Sequence, residues 1–509
     1  MPDAANPHGA RRWLLLLTVC LTGILMPLCF TGPAVVLPSI QQILGGTPNQ
    51  FNWVMNGYIL TYGSLMMAGG SLADTYGRKR VWLLGLALFI VVTFAIPYAP
   101  SVLWMDVLRL LQGAAGAVAF AGGVSTLAQV FHGPERTRAF SILGTCFGVA
   151  LAFGPLAAGW LVDTAGWRWV FLATAWLSVV SLALAVFAAD ESRDPQATGL
   201  DWPGAISFTG FLTLLTYGLL RVPEHGWTDA GVIASLVATV VLFVAFVVIE
   251  RKQARPMLDL SLFGSACFVG VQLLGASPAF FYITLIVILP ARFISVDGYS
   301  ALEAGQLMIA LSAPLLVVPF LAGPLARWVS AGVLSGIGLL ILALGLALLG
   351  HSLAGGAGDG ALHLPMLLIG VGIGLPWGLM DSLAVSVVEK ERAGMATGIF
   401  NAVRVSADGV ALAVLGVLLA VLIQSGLSGI TDSPALSEAA SRAAIGDLAG
   451  ANALLPGLGD AVLRNYDAAF RTVLFMLSAA SVLTAIVIFA LLGRVRAHDE
   501  GMAASAGHA

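Results

Sequence analysis

Charge is what this chain has least of. Only 10% of its 509 residues are Asp, Glu, Lys or Arg, against 59% hydrophobic, where a soluble globular protein carries about 25% charged residues. A water-soluble domain is excluded, and the chain reads as a polytopic membrane protein. The net charge of -3 is too small to attract a polyanion, so no nucleic acid is expected as a partner. Cysteine is scarce. Cys20, Cys29, Cys146 and Cys267 all fall inside apolar runs, with neither a disulfide framework nor metal-ligand spacing. No Walker phosphate loop occurs, so ATP is not the expected energy source. No nucleophile–base constellation is present either, and an enzyme is not expected. The first apolar run, from Trp13 to about Ile40, has no small-residue cleavage site and reads as a retained helix, not a signal peptide.

What the chain has instead is long apolar runs. A spanning helix needs about 20 mostly apolar residues. Fourteen such runs can be placed, at about 13–39, 51–73, 81–99, 102–130, 139–163, 168–189, 203–221, 230–250, 266–292, 303–325, 329–351, 363–388, 395–424 and 469–493. An even count puts both termini on one side. Alternate loops carry Arg78/Lys79/Arg80, Arg136/Arg138, Arg193, Arg251/Lys252/Arg255, Arg327, Lys390/Arg392 and Arg494/Arg496, and the opposite loops far fewer bases. The positive-inside rule therefore predicts cytoplasmic termini. A long outer segment, 425–468, separates the last two runs. A short amphipathic helix around 434–449 and a poorly ordered linker are both open readings of it.

The polar breaks at 190–201 and 251–260 divide the runs as six, two and six. The expected domains are a six-helix bundle over 1–190, two inserted helices over 191–260, a second six-helix bundle over 261–494 and a tail over 495–509. An internal echo supports the division. Pro134-Glu135-Arg136-Thr137-Arg138-Ala139 returns as Glu389-Lys390-Glu391-Arg392-Ala393-Gly394.

Between the second and third runs lies Gly70-Ser71-Leu72-Ala73-Asp74-Thr75-Tyr76-Gly77-Arg78-Lys79-Arg80. Gly77 can supply positive φ for the turn. Asp74, at a helix end, can pair with bases or with the start of a neighbouring helix. This stretch resembles the signature loop of the major facilitator superfamily. The resemblance implies that Asp74, Arg78 and Arg138 form a charge relay that holds the cytoplasmic side closed, with Gly70 and Gly77 shaping the loop. A decayed echo, Gly323-Pro324-Leu325-Ala326-Arg327, has a base where the acid would stand.

The fifth run contains Gly148, Gly154-Pro155 and Gly159. Glycines permit close backbone approach, and Gly-Pro permits a bend. The pattern resembles the antiporter motif of the superfamily, with Ala150 and Ala158 where glycines are usual; ordinary small-residue packing gives the same pattern. Leu37-Pro38-Ser39-Ile40, Trp53 to Leu60, Trp167-Arg168-Trp169-Val170-Phe171 and Arg255 to Phe263 resemble the fourteen-helix drug:proton antiporter family, over nearly the whole chain. That resemblance implies an all-α integral membrane fold and export of amphipathic compounds driven by proton entry, with no cofactor beyond the proton gradient.

Charges inside spanning segments are costly and are functional candidates by default. Arg109, in Leu108-Arg109-Leu110-Leu111-Gln112-Gly113, matches the family's proton-transfer arginine, and Asp106 is placed three residues earlier to pair with it. Thr397, Asn401, Arg404 and Asp408 fall at helical spacing on one face. Asp408, partnered with Arg404 near the midplane, is a candidate proton carrier. A static ion pair is the alternative in both places. Asp381 is a third candidate, and Glu303 and Asp297 read as caps or solvated charges. The resemblance fails in the first helix, where Cys29 stands in place of the family's aspartate and cannot supply its charge.

Aromatic and amide side chains suit flat, lipophilic ligands; Asn56, Tyr58, Gln112, Tyr282, Trp377 and Asn401 are the candidate substrate contacts. The expected protein is a monomeric multi-pass exporter of the bacterial inner membrane. Two six-helix bundles rock about a central cavity, and the partners are small amphipathic substrates, protons and lipid. A dedicated exporter of one metabolite and a non-transporting sensor or scaffold are the rivals.

Overall fold

The computed structural model describes residues 7–131, 133–193, 201–253, 260–326, 328–353, 360–388 and 393–493. Among these residues there is no β-strand. Every one of the fourteen expected runs is helical. We number them α1 (Pro7–Leu44), α2 (Pro48–Tyr76), α3 (Arg78–Ala95), α4 (Val102–Val130), α5 (Gly133–Ala165), α6 (Arg168–Ala188), α7 (Trp202–His225) and α8 (Ala230–Lys252). There follow α9 (266–295), α10 (301–325), α11 (Ala331–Ser352), α12 (Gly360–Ser386), α13 (Ala393–Leu427) and α14 (Gly459–Leu492). Among the described residues, twelve helices pass as membrane spans on length and composition, and thirteen with the bent α5. The protein is therefore a multi-pass membrane protein.

Local chemistry sets several boundaries. Thr47 caps α2: its hydroxyl accepts from Gln50 N while Gln50 Oε1 accepts from Thr47 N, and Pro48 takes the first helical position, where its missing N–H costs nothing. α9 passes through a π-turn at Ala279–Ile283, directly after Pro278. α10 breaks into a 3-10 turn at Ala313–Leu316, which contains Pro314, and resumes at Val318 with Pro319 in its first turn. Proline removes a ladder donor and crowds the preceding turn. α14 starts ten residues before the expected 469. Arg464, Asn465 and Asp467 end the apolar pattern, but they do not end the helix. The outer segment forms two short helices, Leu436–Ala444 and Leu448–Leu454.

The described chain divides into two compact units. The first comprises residues up to Phe246, with Ile286–Gln306 and Ile445–Leu448. Within it, α4 packs along α2 and α3, and α1 along α5 and α6. Small buried residues of α4, among them Gly113, Gly116, Ala117 and Ala119, let its neighbours approach. A hydroxyl chain joins three helices inside the apolar interior. Trp82 Nε1 of α3 donates to Thr22 Oγ1 of α1 at 3.3 Å, and Thr22 lies 2.9 Å from Ser181 Oγ of α6. α7 and α8 meet through Phe208, Phe211, Phe243 and Phe246. α8 leaves Ile233, Val237, Val240 and Val244 exposed, an apolar face suited to lipid.

The second unit comprises Val247–Leu285, Leu307–Ala444 and Ala449 onward. α11 packs against α12 and α14, α13 against α14 and α9, and the second half of α10 against α12. Ser478 and Ser481 of α14 donate to the carbonyls of Ala343 and Leu339 on α11. These bonds tie the two helices where no water competes.

Candidate functional site: buried arginines and a pinned signature loop

At the signature loop, α2 ends and α3 begins around one residue. Gly77 adopts φ +113°, ψ 125°, a region closed to most L-residues. Its N–H still reaches Ala73 O at 3.1 Å. Arg78 folds back on Asp74, with Nε and Nη2 each 2.8 Å from Oδ1, and its Nη1 donates to Gln129 Oε1 of α4 at 2.5 Å. Asp74 and Arg78 thus form an ion pair within the loop. The Arg138 side chain lies outside the described residues, as do Arg327, residues 389–392 and 254–259. Gly70 is half-buried with open space around it. Sequence reasoning missed Gln129 and Glu191. Glu191 accepts the backbone N–H groups of Lys79 and Arg80 from 112 residues downstream. The one signal available was its place in the polar break after α6.

Arg109 is fully buried in α4. Its Nε donates to Val54 O of α2 at 2.7 Å and its Nη1 to Gln112 Oε1 at 2.5 Å, and its guanidinium stands 4.6 Å from the Tyr58 ring centroid. Gln112 passes the connection on, with Nε2 2.9 Å from Thr93 Oγ1 and 3.5 Å from Cys29 Sγ. Cys29 thus joins the arginine's surroundings through Gln112, at the position where the resemblance implies an aspartate. Asp106 and Arg109 interact through their charges alone. No hydrogen bond joins them, and Asp106 Oδ1 and Arg109 Nη2 are both buried without a partner. Arg109 reaches toward α2, to the Val54 carbonyl and the Tyr58 ring. Three candidate substrate contacts are interior here. Tyr58 donates to Met26 O at 3.2 Å, Asn56 to Asn52 O at 3.0 Å, and Gln112 is fully buried.

Two glycines of α5, Gly154 and Gly159, sit at close approaches. Gly148, Gly154, Pro155 and Gly159 are all buried. A Cβ on Gly154 would overlap Thr31 Oγ1 of α1. One on Gly159 would overlap the carbonyl of Ala301 and stand 2.8 Å from its carbon. Gly305 repays the contact: a Cβ there would be 2.9 Å from Pro155 O. Asp163 Oδ2 accepts from Leu302 N at 3.1 Å. The end of α5 is thus clasped to the start of α10, where Ser300 and Glu303 form a reciprocal cap.

In the second unit, Arg404 and Asp408 of α13 share a face as expected, but the ion pair is different. Arg404 Nη1 lies 3.8 Å from Asp381 Oδ1 of α12, and its guanidinium is 5.8 Å from the Phe400 ring centroid. Asp408, one turn further along the same face, feels the Arg404 charge without a hydrogen bond to it. Arg404 thus stands between two carboxylates, Asp381 in a loose ion pair and Asp408 through its charge alone. Asp381 is 61% exposed at its side chain and Arg404 20%. One turn from Asp381, Trp377 meets Tyr282 edge-on, with centroids 6.2 Å apart. Tyr282 is fully buried, whereas Trp377 and Asn401 are half-buried. The unit thus carries an aromatic pair beside a loosely held arginine and two carboxylates.

These features meet a set of known proteins. The family model of the Major Facilitator Superfamily matches residues 19–412. A probable actinorhodin transporter of Streptomyces coelicolor is 31% identical over 86% of this chain and 77% of its own length. The cephamycin export protein CmcT of Amycolatopsis lactamdurans is 35% identical, covering 79% and 82%, and the multidrug resistance protein Stp of Mycobacterium tuberculosis is 32% identical, covering 81% and 77%. Among solved structures, a bacterial homolog of the lysosomal transporter Spinster, inward-facing and unoccupied, aligns with TM-score 0.62 at 16% identity over 96% of this chain and 98% of its own. A D-xylose–proton symporter aligns with TM-score 0.59 at 15% identity over 87% and 97%. At such identities the likeness concerns the fold alone, but with the family match over most of the chain the conclusion is direct: the chain belongs to the Major Facilitator Superfamily.

Proposed function

We propose that the protein exports amphipathic organic compounds, drugs among them, across the bacterial inner membrane by alternating access, in exchange for protons. The observation that carries export is the similarity, at 31–35% identity over most of the chain, to a probable actinorhodin transporter, a multidrug resistance protein and a cephamycin export protein. Proton coupling is supported by ionisable groups inside the spans, which persist only where they serve a purpose. In this reading Arg109 and the Arg404–Asp381–Asp408 group carry the coupling, and Asp408 holds the proton. The Asp74–Arg78 loop gates the cytoplasmic side, and Trp377, Tyr282 and Asn401 contact substrate as the protein changes conformation. Both termini are cytoplasmic, and the protein works as a monomer.

A second reading, a dedicated exporter of one metabolite, is favoured by Cys29: without an acid in α1, the Arg109 pocket offers no fixed carboxylate for cations. Proton movement in inverted membrane vesicles separates the readings. Ethidium, Nile red and cefoxitin supply a cation, a neutral compound and an anion. Proton efflux with several ligands, lost in Asp408→Asn, is the expected result. A response that survives the substitution moves the coupling site to Asp106 or Asp381. A response to one compound class only supports the dedicated exporter. No response with any ligand counts against coupled export altogether.

A further inference from the structure

The N-terminus of α3 is built against electrostatic preference. Three bases, Arg78, Lys79 and Arg80, occupy its first turn, where the helix dipole disfavours positive charge. Its N-cap residue is Gly77, with no side chain to accept the free N–H groups of that turn. The missing acceptor comes from the segment that follows α6. Glu191 Oε1 accepts from Lys79 N at 3.3 Å, and Oε2 accepts from Arg80 N at 3.2 Å. The carboxylate also lies 3.5 Å from Arg80 Nε and accepts from its own neighbour, Ser192 N, at 3.0 Å. Around it, Ser192 O accepts from Arg78 N at 2.8 Å, Val186 O accepts from Lys79 Nζ at 2.7 Å, and Asp190 pairs with Arg11 at 2.6 Å. A Cβ on residue 77 would stand 2.6 Å from Glu191 Oε1. The glycine is therefore needed twice: for its φ, and to leave room for a carboxylate brought from elsewhere.

We propose that Glu191 is a positioning residue for transport. It holds residues 77–80 so that Arg78 can bridge Asp74 and Gln129, and it ties the signature loop to the polar segment that leads into the two inserted helices. The proposal rests on the gating role given to the Asp74–Arg78 loop above. Glu191 touches no substrate. It acts by fixing the backbone from which Arg78 projects, and it supplies negative charge where three bases and a helix start converge.

The test compares wild type, Glu191→Gln, Glu191→Asp and Gly77→Ala, purified as full-length protein and reconstituted in liposomes. Hydrogen exchange is followed on the peptide spanning 77–82, and initial export rates are measured with ethidium, Nile red and cefoxitin. Glu191→Gln is expected to speed exchange at residues 79 and 80 about fivefold, the factor that corresponds to losing one helix cap. Its maximal export rate falls by a similar factor while KM stays within about twofold of wild type. Gly77→Ala, which displaces the carboxylate from the other side, gives the same pair of changes, and Glu191→Asp restores part of each. Faster exchange with unchanged export would make Glu191 a structural cap only and overturn the proposal. Unchanged exchange overturns it outright. Wild-type protein that moves none of the three compounds defeats the export reading instead, and the exchange data then still show whether Glu191 holds the loop.

Discussion

Adding a single methyl group to Gly159 should open the clasp between α5 and α10. The Cβ of Gly159→Ala would overlap the Ala301 carbonyl and stand 2.8 Å from its carbon and 3.1 Å from Leu302 Cα. All three neighbours are backbone, so no side-chain rotation relieves the clash and the helices must part. Overpacking of this kind costs about 1–3 kcal/mol. At 1.4 kcal/mol per factor of ten, the equilibrium between clasped and parted states shifts by about 5-fold to 150-fold. Ala301 is 8% exposed, so a cysteine placed there reports the opening. With the four native cysteines replaced by alanine, Ala301→Cys should react slowly with a maleimide. Adding Gly159→Ala should raise that rate by about 5-fold or more. An unchanged rate in a folded protein would show that the close approach yields without separating the helices, and the clasp would lose its standing as a conformational element.

Three further outcomes are expected. Arg109→Lys keeps the charge but cannot serve Val54 O, Gln112 and the Tyr58 face at once, so export should fall at least about tenfold while membrane expression holds; wild-type export would remove Arg109 from the mechanism. In its proposed role Trp377 gives an aromatic ligand a ring contact, a kind worth about 0.5–1.5 kcal/mol, so Trp377→Ala should weaken aromatic ligands about 2-fold to 10-fold by tryptophan-quenching titration or by export KM. Trp82→Phe removes the donor to Thr22 inside the apolar interior. A bond there contributes about 0.6 kcal/mol on average, so thermal unfolding in detergent should show a small loss of stability, with export retained.

Much of this molecule is legible in the sequence because a bilayer leaves few options for a backbone. Apolar length announces a helix, and helix position follows from it. The fourteen runs and the Asp74–Gly77–Arg78 turn could be placed for that reason. Reach is less legible than position. Asp106 and Asp408 share faces with Arg109 and Arg404, but each arginine goes to a neighbouring helix: one to Val54 O and the Tyr58 ring, the other to Asp381. Spacing along a helix fixes a direction, whereas the partner is chosen by what the next helix offers within the length of a guanidinium arm. Glu191 was hidden more deeply, since a cap supplied across 112 residues leaves no local pattern beyond an uncapped glycine followed by bases.

The two arginine–acid arrangements have a common consequence for coupling. Each arginine acts on an acid of its own helix through charge alone and makes its direct contacts with other groups. A carboxylate held that way differs from one in a tight ion pair: it can gain or lose a proton without first breaking a bond to its arginine. In the second unit the arginine also has an alternative seat. Arg404 is held by Asp381 across a loose 3.8 Å contact, and Asp408 lies one turn along the same face. If transport moves Arg404 from one carboxylate to the other, the acid it leaves favours protonation and the acid it joins favours release. Asp381→Asn should then leave Arg404 to Asp408 permanently. Substrate-driven proton release in inverted vesicles would stop, while ligand binding to the purified protein persisted. Proton release that continued at the wild-type rate in Asp381→Asn would show that Arg404 does not alternate, and would return the coupling to the Arg109 pocket.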